Sequence, residues 1–162
     1  MVNVNAKTIA GTAVADVVLV AAACMVPALS HAVALPLYML NPMLALLLAG
    51  MLVGRAGWRN GLLLAVLMPL MSCLLTGMPA AEKMLCMMAE LATVAAVFGW
   101  LQRSWKVLPA VFAAVVAGKV VYYGLKAAVV APAVLVGTAW WIQLGAVLLW
   151  GGLFAIVYSR KR

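Results

Sequence analysis

Two lysines seven positions apart, Lys119 and Lys126, lie with Tyr122 and Tyr123 between them in an apolar run from Val107 to Val136. A charged side chain at the centre of a bilayer costs at least about 2.5 kcal/mol, so a charge at that depth marks a site, a pathway or a pair. At helical spacing the lysines and one of the tyrosines share a face, because positions three, four and seven apart stack along it. The chemistry on offer is recognition of a small anionic or zwitterionic solute: lysine holds a carboxylate, and tyrosine supplies a flat face and a hydroxyl. Glu90, in the preceding apolar block, is the carboxylate within reach. Counted from Glu82 it lies roughly 12 Å deep at 1.5 Å per residue, and Lys119 reaches a similar depth from the start of its own block. Glu90 and Lys119 are therefore expected to meet near the midplane, with Lys126 two turns nearer the outside. One reading is a pocket open to the outside. The other is a salt bridge that only holds two helices together, with Lys126 snorkelling to the surface.

The elements that must position these residues follow from the hydropathy. Of 162 residues, 69% are hydrophobic and 9% are charged, with a mean hydropathy of +1.20. A soluble domain averages roughly 45–50% apolar and 25% charged, so an integral membrane protein is expected. Six apolar blocks run from Thr8 to Leu29, Leu37 to Gly54, Asn60 to Gly77, Glu82 to Leu101, Val107 to Val130 and Gly137 to Tyr158. They are continuous rather than alternating and too long for barrel strands of about 10 residues, which predicts an all-α membrane protein with six transmembrane helices. Turn chemistry fills the gaps in "RAGWRNG", "TGMPAAE", "QRSWK" and "APAVLVG". Residues 1–162 read as a single domain. With no soluble domain left over, any energy-coupling domain is expected on another chain.

Lysine and arginine set the expected orientation. Lys7, Arg55, Arg59, Arg103, Lys106, Arg160, Lys161 and Arg162 fall at the two ends and in alternate loops, whereas the other loops carry only Lys83 beside Glu82. This asymmetry places the N-terminus and the C-terminus in the cytoplasm. The formal charge of +8 is thus mostly a topology signal and no nucleic-acid partner is expected, since the cations are spread over four short segments. In the first block, Ala6-x-x-x-Ala10 and Gly11-x-x-x-Ala15 have the spacing of a helix that packs closely on another, within the bundle or on a partner. A signal peptide ending at "ALS" before His31 is the competing reading of this segment. The block is long for such an apolar core.

Enzyme chemistry is not expected. The chain lacks a phosphate loop, a Gly-x-Ser-x-Gly elbow and a His-Glu-x-x-His pair, and Ser72 is the nearest plausible nucleophile. The three cysteines, Cys24, Cys73 and Cys86, are widely spaced in apolar sequence, and His31 is the single histidine. They form no zinc or haem constellation and read as small buried residues, so no metal and no cofactor is expected. A soft-metal contact of Cys73 and Cys86, which flank one outer loop, is a remote alternative.

The stretches "LNPMLALLLAGMLVG", "LMPLMSCLLTGMP" and "MMAEL", with "GK" opening the polar part of the fifth block, resemble the substrate-binding S components of energy-coupling factor (ECF) vitamin transporters. The similarity is to the broad family with pantothenate, folate and pyridoxine members, and covers about Pro36 to Gly124. Its most specific piece is the spacing of Pro69, Ser72, Gly77 and Pro79. Many relatives carry a histidine where this chain has Leu44, so that contact is not carried over. The resemblance implies six helices in the cell membrane of a prokaryote and a micronutrient bound near the outer face, under the first and third outer loops, "SHAVALPLYM" and "TGMPAAEK". It also implies partners: an ECF transmembrane coupling subunit, touched by small residues of the first helix (Ala6, Ala10, Gly11, Ala15), and two ATPase subunits that use the ATP. On that footing the candidate solute contacts are Glu90, Lys119, Tyr122, Tyr123 and Lys126, joined by His31, Asn41 and Trp141. The best match is an anionic vitamin such as pantothenate. A structural scaffold of six spans and an autonomous small-solute carrier are the alternatives.

Overall fold

The computed structural model describes residues 6–32, 40–53, 57–129 and 140–161. They form α1 (Ala6–Ala32), α2 (Pro42–Leu52), α3 (Trp58–Thr76), α4 (Ala81–Leu101), α5 (Val107–Val129) and α6 (Trp140–Lys161), with no strand among the described residues. Five of these helices, all but α2, are long and apolar enough to cross a membrane.

Of the expected block from Leu37 to Gly54, the described helix is the 11 residues of α2; residues 37–39 and 54 lie outside the described residues, and a sixth full span is not shown. Local chemistry stops α2 on its N-terminal side. Pro42 occupies the first turn, where a missing N–H costs nothing, and Asn41 before it has a φ of 50°, left-handed backbone that a helix cannot propagate through. The Asn41 carbonyl then accepts the first helical hydrogen bonds, from the N–H groups of Leu44 and Ala45.

The surface has the character of a chain solvated by lipid. Val17, Val18, Leu74, Leu75, Trp100 and Val120 each expose more than 60% of their area, a pattern water does not permit in such numbers. The interior is apolar as well: Leu44, Leu47, Met51, Leu64, Met68, Val94, Phe98, Val111 and Val115 are buried. Where inside and outside are equally apolar, helices associate through close packing rather than through the hydrophobic effect.

Neighbouring helices run antiparallel. Gly50 near the end of α2 lies against Leu64 of α3 and Leu19 of α1, and Trp58 at the start of α3 packs on Gly99 at the end of α4. Phe112 of α5 lies against Gly151 of α6, while Tyr123, further along α5, bonds Gln143, earlier on α6. The end of α6 therefore shares one end of the bundle with the α2–α3 and α4–α5 connections. Arg59, Arg103, Lys106 and Arg160 are exposed there, and this is called the basic end below.

At the opposite end a compact turn joins α3 to α4. Gly77 closes α3 with a φ of 69°, a left-handed conformation that suits glycine, and returns its N–H to the Cys73 carbonyl. The Ser72 hydroxyl, fully buried, donates to the Met78 carbonyl at 2.8 Å, and the Thr76 hydroxyl donates to the Ser72 carbonyl at 2.7 Å. The Ser72 and Gly77 spacing singled out in the sequence thus builds this turn. The other segment expected as an outer loop, "SHAVALPLYM", lies largely outside the described residues.

Candidate functional site

Glu90 and Lys119 meet as expected. Lys119 Nζ stands 2.7 Å from Glu90 Oε1, with the Glu90 side chain 5% exposed and that of Lys119 21% exposed. Gly118 makes the approach possible. A Cβ at that position would sit 2.6 Å from Val94 Cγ2 and 3.0 Å from the Glu90 carbonyl oxygen, so α4 and α5 touch there almost backbone to backbone. Glu90 Oε1 is closed off from solvent, and the Lys119 ammonium is the cation that balances it.

Both tyrosines are half-buried, and they divide the work between them. The Tyr122 ring centroid lies 5.5 Å from Lys119 Nζ, within cation–π range, and its ring meets that of Tyr123 edge to face at 5.3 Å. Tyr123 turns towards α6, where its hydroxyl donates to Gln143 Oε1 at 2.7 Å. With Gly118 against α4 and Tyr123 against α6, the 100° step of a helix places Lys119, Tyr122 and Lys126 on the side of α5 between those two helices. Lys126 is half-buried, and no carboxylate lies within ion-pair distance of it among the described residues.

The remaining candidates are less closely grouped. Asn41 is half-buried and makes no side-chain capping bond. The Leu40 carbonyl beside it accepts from Trp150 Nε1 at 2.8 Å, which ties the start of α2 to the middle of α6. Asn41 and Glu90 stand each 11 residues above the basic-end terminus of their helix, so both are roughly 16 Å up at 1.5 Å per residue, close to the level of Lys119. Trp141 is 62% exposed, two residues before Gln143 on α6. His31 lies in the last turn of α1, and its side chain is outside the described residues, as is that of Ala6.

The small residues of α1 do not form one stripe. Ala10 and Gly11 are exposed, with nothing within 4 Å of a Cβ built on Gly11, whereas Ala15 is half-buried. The open face consists of Ala10, Val14, Val17 and Ala21, all exposed and spaced three or four apart. Ala15 sits at its border with the bundle.

Asp16 was missed in the sequence, although it is one of only three acidic residues in the chain and lies inside an apolar span. That signal, an ionisable group at membrane depth, was the same one that singled out Glu90. Buried Asn60 donates through Nδ2 to Asp16 Oδ1 at 2.7 Å and to the Gly50 carbonyl at 3.2 Å, pinning α1, α2 and α3 together near the basic end. Among the described residues no group of three His, Cys, Asp or Glu side chains gathers to hold a metal ion, and Cys24, Cys73 and Cys86 are free thiols.

Gly118→Ala tests how much the pair depends on the helix contact. The added methyl is expected to push α4 from α5 and to destabilise the protein by about 1–3 kcal/mol, the usual cost of overpacking. Unfolding in detergent measures this, and an unchanged midpoint would show that the contact gives way freely. No family profile, curated protein or solved structure matches the chain.

Proposed function

We propose that this protein is the membrane-embedded binding subunit of an uptake system for a small, water-soluble, anionic micronutrient, of the energy-coupling factor type. One observation carries the reading: a mid-membrane Glu90–Lys119 pair is continued towards the end opposite the basic one by Tyr122 and a half-buried Lys126 that no carboxylate matches. A pair that only joined two helices would need no second lysine above it. In this reading the basic end is cytoplasmic by the positive-inside rule, the site opens to the outside, and the role is binding rather than catalysis.

The open face of α1 supports a partner in the membrane. Only 17% of the Ala10–Ser30 span is buried, against 39% of the α3 and α4 spans, and that face offers Ala10 and Gly11 to a neighbouring helix. A coupling subunit carrying two ATPases would dock there, and the energy of transport would come from those chains. A structural scaffold is the second reading, favoured by the Asp16–Asn60 contact and the tight Ser72–Met78 turn, both purely architectural.

Native mass spectrometry of protein purified from cells grown in rich medium tests the proposal. A small molecule retained by the intact protein, and lost from a Lys119→Met variant, is the expected result. Protein that carries nothing, and whose unfolding no extract of the medium shifts, would leave the scaffold.

A further inference from the structure

The charges of the half opposite the basic end can be counted completely, and the count constrains the solute. Residues 33–39 and 130–139 contain no Asp, Glu, Lys or Arg, so every charge of this half lies on a described element. On α4, Glu82 and Lys83 are exposed neighbours that offset each other. Deeper in, Glu90 and Lys119 neutralise each other at 2.7 Å. The formal charge is that of Asp, Glu, Lys and Arg, without His31. One charge is left over, that of Lys126, held half-buried between α4 and α6 and seven residues above Lys119.

We infer that the solute is a monoanion, with one carboxylate for Lys126 and a hydroxyl or amine donor for Glu90, and not a dianion or a phosphate. The inference rests on the proposed binding role and adds the charge class of the ligand. Uncompensated charge is costly in low dielectric, so a site with a single net positive charge favours a ligand with a single net negative charge. A second anionic group would have to displace Glu90 from Lys119 and leave that carboxylate, 5% exposed, without its cation. A donor group on the ligand suits a carboxylate whose charge Lys119 already meets. The two ends of the ligand are separated by roughly 10 Å, the rise of seven helical residues. A zwitterion fits the same arithmetic when its ammonium replaces Lys119 beside Glu90, whereas a neutral molecule leaves Lys126 unmatched.

The test is ligand-induced stabilisation of the purified protein, measured with a matched set of probes of that length: an ω-hydroxy monocarboxylate, the corresponding dicarboxylate and the corresponding diol. The hydroxy acid is expected to stabilise most, as preferential binding to the folded state requires. Lys126→Met should weaken it about 10- to 150-fold, the loss of one hydrogen bond to a charged group, and leave the weak effect of the diol unchanged. Lys126 is outside the ion pair, so the variant should fold as the parent does. Equal or stronger stabilisation by the dicarboxylate or the diol overturns the inference, as does no stabilisation by any probe or indifference of the hydroxy acid to Lys126→Met. In that last case Lys126 serves only the end of α5. A small molecule retained in native mass spectrometry would still uphold the binding role, so the two failures are distinguishable.

Discussion

Lys119→Met is expected to destabilise the protein and to abolish tight solute binding, whereas the double variant Lys119→Met/Glu90→Gln regains stability without regaining the solute. Removing one partner of a buried ion pair costs about 3–5 kcal/mol, because the remaining charge is stranded in low dielectric. Glu90, 5% exposed, is the stranded group, and the 21% exposure of Lys119 puts the expected loss at the lower end of that range. Glu90→Gln removes the stranded charge while keeping the volume, so most of the stability returns. Affinity follows a different course. A hydrogen bond to a charged group contributes roughly 1.5–3 kcal/mol, so a solute that uses this pair should bind about 10- to 150-fold more weakly to the double variant. Unfolding in detergent and solute binding on the same preparations separate the two effects. Full stability together with unchanged affinity in the double variant would reduce the pair to architecture and remove the main support for the proposed function.

Ala10→Leu is expected to abolish uptake in cells while leaving solute binding by the purified protein intact. Ala10 is exposed on the least buried of the spanning helices, beside Gly11 with its open surroundings. Small residues on such a face let a partner backbone come close, and a leucine there holds it away. The binding site should not register the change, because α1 packs on α2 and α3 while Glu90 and Lys119 belong to α4 and α5. Leucine at Val116, exposed to lipid on α5, is the control for general effects on insertion. Normal uptake by Ala10→Leu would show that no partner docks on this face of α1. The half-buried position of Ala15 makes it a packing residue of the bundle, so Ala15→Leu should act on stability before it acts on coupling.

How far the sequence reached depended on whether a feature was local. Helix identity and most boundaries were readable because glycines, prolines and short polar stretches interrupt the apolar runs: α3, α4 and α5 begin and end within two residues of the blocks that the sequence predicts. The meeting of Glu90 with Lys119 was readable because depth is arithmetic, a count of residues times a fixed rise. Asp16 was just as visible by the same rule and was overlooked. The short α2 needed the actual backbone of Asn41, since "LNPM" is compatible with a longer helix until the left-handed residue is seen.

What the sequence could not supply was rotation. In a soluble helix the apolar stripe shows which side faces the core, but helices hydrophobic all round carry no such stripe. Nothing in the order of residues could say that Tyr122 attends Lys119 while Tyr123 turns to Gln143, that Trp141 is exposed, or that Ala10 is open where Ala15 is not. Those choices were made by tertiary packing: Gly118 against the Glu90 backbone, Gly99 under the Trp58 ring and Asn60 between Asp16 and Gly50 each lock one helix about its axis. The sequence by itself therefore indicated most of the helical segments and brought Glu90 and Lys119 to one level, because both follow from residue counts along single segments. The tertiary structure decided which of those charges share a space, because in lipid the azimuth of a helix is set by close contacts with its neighbours and not by its own hydropathy.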